Sequence, residues 1–108
     1  MSPVTDDDVR RVALALPDTT ERSTYGTPGY RVHDRLFARI HDQPGVLVLW
    51  LETIDERAGL IDREPDKFFT TDHYANHASV LVRLSAIKAD ELEELLAAAW
   101  TVRAKKSR

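Results

Sequence analysis

The chain has 108 residues, 43% of them hydrophobic and 31% charged, with a net charge of −3 and no cysteine. This length suits one domain, residues 1–108, with a core large enough to fold without staples. The lack of thiols excludes disulfides and thiolate metal sites and fits a reducing compartment. No apolar run nears the ~20 residues that cross a bilayer. The opening MSPVTDDD is polar and acidic rather than a signal peptide, so a cytoplasmic location without membrane contact is expected. Arg103, Lys105, Lys106 and Arg108 form a basic end at 103–108; without them eleven basic residues face eighteen acidic ones. A body that acidic repels phosphate backbones at long range, so nucleic-acid binding needs a local basic patch.

Thr5 is a candidate N-cap followed by Asp6, Asp7 and Asp8, which suit the positive end of a helix dipole. Val9, Val12, Ala13 and Leu16 follow at helical spacing, and Pro17 stops the helix. Residues 18–23 read as polar and irregular, and 25–29, with two glycines and a proline, as a loop. Residues 30–33 and 36–41 read as strands joined at Asp34-Arg35, and residues 42–45 as a second turn. Residues 46–51 are apolar on both faces, as in a central strand covered on both sides.

Thr53-Ile54-Asp55-Glu56 has the form of a capping box and starts a second helix to about Ile61. Asp66 can cap a single turn carrying Phe68 and Phe69, and residues 70–78 form a loop. Residues 79–84 alternate as a fourth strand, and 89–105 carry the stripe of a closing helix. The order predicts an α+β domain: an antiparallel sheet, a meander plus a later strand, packed on one face by N- and C-terminal helices as a two-layer sandwich.

Two constellations carry candidate chemistry. Arg31, Arg39 and Arg83 sit at internal strand positions on the alternate face from the apolar residues, so they are expected to line the open side of the sheet, with Phe37 and either Trp50 or Leu49 beside them. Arginines beside aromatic rings bind phosphate and stack bases; the competing reading is that each pairs with a carboxylate on its own face. Lys105 and Lys106 extend the basic set, or are a solvated helix end. The second constellation is Asp72-His73-Tyr74-Ala75-Asn76-His77. It reads as an ordered loop whose side chains tie down backbone groups, or, with Tyr25 and Trp50, as the wall of a ligand pocket. Histidines four apart are also a metal or hydrolase motif, but no glutamate follows His73 and no third ligand is evident. Nucleophile motifs and phosphate-cradling glycine loops are absent from the sequence.

Five stretches in this order resemble the MmcQ/YjbR family of small bacterial proteins: LALPDTTE (14–21), YGTPGYRV (25–32), LFARI (36–40), EPDKFFTTDHYANHASVLVRL (64–84) and DELEELLAAAW (90–100). The resemblance implies a bacterial frataxin-like fold and a DNA-binding role. Tyr25, Gly26, Pro28, Arg39, His73, Tyr74 and Arg83 match the residue types of the family, whereas Ser79 stands where members often carry a tryptophan. The expectation is a non-catalytic DNA-binding or regulatory module without cofactor, monomeric or homodimeric. The alternative is a small-ligand or partner-binding domain with a pocket near Tyr25 and His73 to His77.

Overall fold

The computed structural model describes residues 4–105. Six strands form one antiparallel sheet in the order β1-β2-β3-β4-β6-β5: β1 Thr19–Thr24, β2 Thr27–Val32, β3 Arg35–Ile40, β4 Val46–Trp50, β5 Phe68–Phe69 and β6 Ser79–Arg83. The helices are α1 Asp6–Ala15, α2 Ile54–Arg63 and α3 Ala89–Ala104. Both N-terminal capping boxes form. Thr5 Oγ1 accepts from the Asp8 amide and Thr53 Oγ1 from the Glu56 amide, while each N3 carboxylate accepts from the cap residue's own amide.

One core lies between the sheet and α1 and α3. Tyr30, Val32, Phe37, Leu47, Leu49, Val80 and Val82 meet Val9, Ala13, Leu92 and Leu96 there. The alternate residues of the central strands, Val46, Val48 and Leu81, bury on the other face against Tyr74, with Trp50 and Phe69 packed beside them. Residues 46–51 are therefore covered on both sides, as expected. The second cover is the chain's own 70–78 loop, which folds through a 3₁₀ turn at Asp72–Tyr74.

The structure corrects several boundaries. Residues 19–24 are an edge strand, not irregular chain. Most of their side chains face solvent, so the apolar alternation that marks a half-buried strand is missing. The loop at 25–29 shrinks to Tyr25-Gly26, both at positive φ (56° and 87°), and β2 begins at Thr27. The next turn is His33-Asp34, again with positive φ at both positions (50° and 65°), rather than Asp34-Arg35. Phe68 and Phe69 form a two-residue strand on the far edge instead of a helical turn.

Phe37, expected on the open face, is fully buried on the helix side. The register jumps from Tyr30↔Ala38 to Arg31↔Leu36, so Phe37 is the extra residue of a β-bulge. The bulge turns Phe37 to the same side as Ala38 and returns Leu36 to the face of Arg31.

Candidate functional site

The second face of the sheet is only half covered. A concavity of about 440 Å³ opens beside the 70–78 loop, lined by Tyr25, Arg31, Asp34, Arg35, Leu36, Arg39, Trp50, His73, Tyr74, His77 and Arg103 among others. A second lobe of about 590 Å³ shares Tyr25, Arg39, His73, Tyr74 and His77 and adds His41, Asp42 and Thr71. Both volumes fall in the range of small-molecule sites.

Arg39 is the post on which the site is built. It is 4% exposed, and its guanidinium joins three separate segments. Nε donates to the Thr24 carbonyl (3.0 Å), Nη1 to the Tyr74 hydroxyl (2.8 Å), and Nη2 to the Tyr25 carbonyl (3.3 Å) and Asp42 Oδ1 (3.1 Å). The planar fork of arginine allows this and the single ammonium of lysine does not. Arg39 therefore fixes the β1–β2 turn against the histidine loop and has little left for a ligand.

The histidine loop is held from the other side by Arg57 of α2, itself 8% exposed. Its Nη1 donates to the carbonyls of Tyr74 (3.0 Å), His77 (3.0 Å) and Ser79 (3.1 Å), and its Nη2 to that of Ala75 (2.8 Å). Tyr74 is buried with His73, His77 and His41 around its ring at centroid distances of 4.9, 6.0 and 6.0 Å. His73 and His77 themselves are exposed. Burial, with help from the Arg39 and His73 charges and against the pull of Asp42, holds the His41 pKa below its ordinary value. Its Nδ1 accepts from the Gln43 amide (3.0 Å), which fixes the neutral tautomer with Nε2–H as donor. Among the described residues no group of three or more His, Asp or Glu is placed to hold a metal ion.

The cationic end of the cavity gathers around Leu36. Arg31 faces Leu36 across the strands, and Arg103 Nε donates to the Leu36 carbonyl (3.0 Å). Arg35 Nη1 donates to the Lys105 carbonyl (2.6 Å), tying β3 to the end of α3. Arg31 makes one long contact, Nη1 to the Asp34 carbonyl at 3.5 Å, and its Nε is buried without a partner. Among the described residues none of the three guanidiniums is in an ion pair. Asp34, the one acidic residue among the described residues lining this cavity, pairs with Arg22 (3.3 Å). Burial, then repulsion from Arg35, pushes the Arg103 pKa below that of a free guanidinium.

The expected trio of Arg31, Arg39 and Arg83 is thus not one surface. Arg39 is consumed inside and has Asp42 as a partner. Arg83 lies opposite Val46, with its guanidinium 4.2 Å from the Phe69 ring centroid and Nη1 donating to the carbonyls of Pro65 (3.1 Å) and Asp66 (3.4 Å). It lines neither lobe. Lys105 reaches Glu52 (3.4 Å), and Lys106 is outside the described residues. Tyr25, Trp50, His73, Tyr74 and His77 do line one cavity. Sequence reasoning missed Arg35, Arg57 and Arg103 as site builders. Only Arg57 left a trace, a cation at i, i+3, i+4 with Leu60 and Ile61 on the apolar stripe of α2.

Fold and site together define a six-stranded antiparallel α+β sandwich with a half-covered, arginine- and histidine-lined sheet face. The YjbR family model matches residues 14–102, and the chain belongs to the YjbR family. It is 34% identical over 117 residues to an uncharacterized protein of Mycobacterium bovis and to one of Mycobacterium tuberculosis, over 93% of this chain and 88% of each relative. The crystal structure of the Deinococcus radiodurans protein DR2400, of domain family DUF419, superposes with a TM-score of 0.78 at 26% identity, over 94% of this chain and 80% of that one. No described helix is long and apolar enough to cross a membrane.

Proposed function

We propose that this chain is a non-catalytic binding domain of the frataxin-like class whose sheet face takes a small anionic ligand, the anion lying against Arg31, Arg35 and Arg103. The observation that carries this reading is a cavity end with three guanidiniums, none in an ion pair among the described residues, one of them with a buried and unpartnered Nε. Native structures rarely leave a buried donor of a charged group unsatisfied, and an anion supplies the missing acceptor. The same anion relieves the repulsion between Arg35 and Arg103. Carboxylate or phosphate oxygens suit guanidinium forks, which bind them in pairs.

The DNA-binding role implied by the family resemblance is the second reading, favoured by this same cluster. A backbone tracker needs a stripe of cations, however, and here Arg39 and Arg83 are engaged elsewhere. Three phosphate contacts on duplex DNA give a salt slope of only about −2.7.

The test is calorimetric titration with inorganic phosphate and pyrophosphate, beside anisotropy of labelled duplex DNA at several salt concentrations. Saturable anion binding is expected, weakened roughly 10- to 100-fold by Arg31→Ala and unchanged by Arg83→Ala. DNA binding with a steep salt slope that falls with Arg83→Ala favours the second reading. Binding of neither anion nor DNA refutes both.

A further inference from the structure

We infer that the exposed ring of Tyr25 is a stacking platform and that the ligand is a nucleoside phosphate whose base lies on it. This rests on the anion-binding reading above and specifies its ligand.

Tyr25 is the first residue of a two-residue hairpin turn with φ at +56°, followed by Gly26 at +87°. Asparagine, aspartate or glycine suits that position; a tyrosine is held there against steric preference. Its ring does not repay the strain by burial, since the residue is 86% exposed. The turn is nevertheless fixed, because buried Arg39 donates to the carbonyls of both Thr24 and Tyr25. The Arg39 guanidinium carbon lies 5.5 Å from the ring centroid, so one face of the ring is backed by a cation and the rest is open. A strained, rigid and solvent-facing aromatic ring on the lip of a cavity is an arrangement for contact with another flat ring.

The spacing fits a molecule with a ring at one end and an anion at the other. Tyr25 and Arg31 line the same cavity. Thr27, where β2 leaves the turn, and Arg31 are separated by four residues of extended strand, about 13 Å. His73 and His77 line both lobes with Tyr25, where they can meet the hydrogen-bonding edge of a base laid on its ring. A base on an aromatic side chain gains binding that is tolerant of base identity. Duplex DNA does not offer an unstacked base, and with Arg39 and Arg83 engaged elsewhere a single strand lacks a line of cations to follow, so the inferred ligand is a free nucleotide.

The experiment compares AMP, ribose 5-phosphate and adenosine by calorimetry on the full chain, in wild type, Tyr25→Ala, Tyr25→Phe and Tyr25→Asn. AMP is expected to bind at least 10-fold tighter than ribose 5-phosphate. Tyr25→Ala and Tyr25→Asn abolish that difference without touching ribose 5-phosphate, and Tyr25→Phe preserves it. The asparagine variant suits the turn, so an unchanged melting temperature separates lost stacking from lost fold. Equal affinity for AMP and ribose 5-phosphate overturns the inference and leaves the anion site standing. So does equal AMP binding by wild type and Tyr25→Ala. Binding of a short single-stranded oligonucleotide with none of AMP overturns the free-nucleotide assignment. No binding of either phosphate removes the anion site and this inference with it.

Discussion

Replacing Arg57 with alanine is expected to detach the histidine loop and to cost about 3–5 kcal/mol. Of the four carbonyls that accept from its guanidinium, those of Tyr74 and Ser79 are buried, and those of Ala75 and His77 are partly reachable by water. A hydrogen bond from an ionised donor contributes about 1.5–3 kcal/mol, and the Tyr74 carbonyl keeps the His77 amide as a second donor, which trims the upper end of the sum. The two buried bonds alone thus account for about 3–5 kcal/mol, a large share of the 5–15 kcal/mol typical of a domain. The melting temperature should fall by roughly 12–25 °C. Arg57→Lys keeps the charge but cannot bridge four carbonyls with one ammonium, so it recovers only part of the loss. Urea titration followed by tryptophan fluorescence reads the effect, since Trp50 packs on the Tyr74 cluster. Amide exchange at Tyr74, His77 and Ser79, whose N–H groups bond within this loop, should speed up most. A loss below 1 kcal/mol with unchanged exchange at these amides would refute the tether.

Gly29→Ala should destabilise by about 1–3 kcal/mol in the same urea assay, because a Cβ there meets Thr24 Oγ1 at 2.6 Å and Leu36 Cδ1 at 2.9 Å. Ser79→Ala should leave stability unchanged or raise it by up to about 1 kcal/mol, because the buried Ser79 hydroxyl has no partner to lose; a clear loss would mean that the hydroxyl is bonded in solution. Burial, with the charge of Glu21, raises the Tyr30 pKa to about 12. A folded-state pKa above the unfolded one makes a contribution that is complete below pH ~10 and is lost as pH rises towards ~12. Thermal melts from pH 8 to 12 should therefore fall less steeply for Tyr30→Phe, and identical slopes would contradict this.

The layers of the fold were legible because their signals are local and repeated. Val9, Ala13, Leu92 and Leu96 mark helix stripes, and Val46 to Leu49 mark a strand buried on both sides. The edge strand β1 was not legible, since exposed polar residues on both faces look the same in a strand and in a loop. Phe37 was assigned to the wrong face because strand alternation holds only until a bulge, and the bulge is visible only in the pairing of Tyr30 and Arg31 with β3. At the site, His73, Tyr74 and Tyr25 were picked out by residue type. The difference between Arg39, which builds the wall, and Arg31, which faces the cavity, depends on the Thr24 and Tyr25 carbonyls and the Tyr74 hydroxyl brought to Arg39. No spacing in the sequence encodes that. Arg35 and Arg103 read as a turn residue and part of a basic tail, and only the docking of α3 on β3 places them with Arg31.

The most direct test of the anion site is an NMR titration of the arginine Nε–H signals with inorganic phosphate. The account predicts saturable shifts at Arg31 first and at Arg35 and Arg103 with it, while Arg83, stacked on Phe69, stays still. Shifts of equal size at Arg83, or an Arg31 signal that never moves, would contradict it.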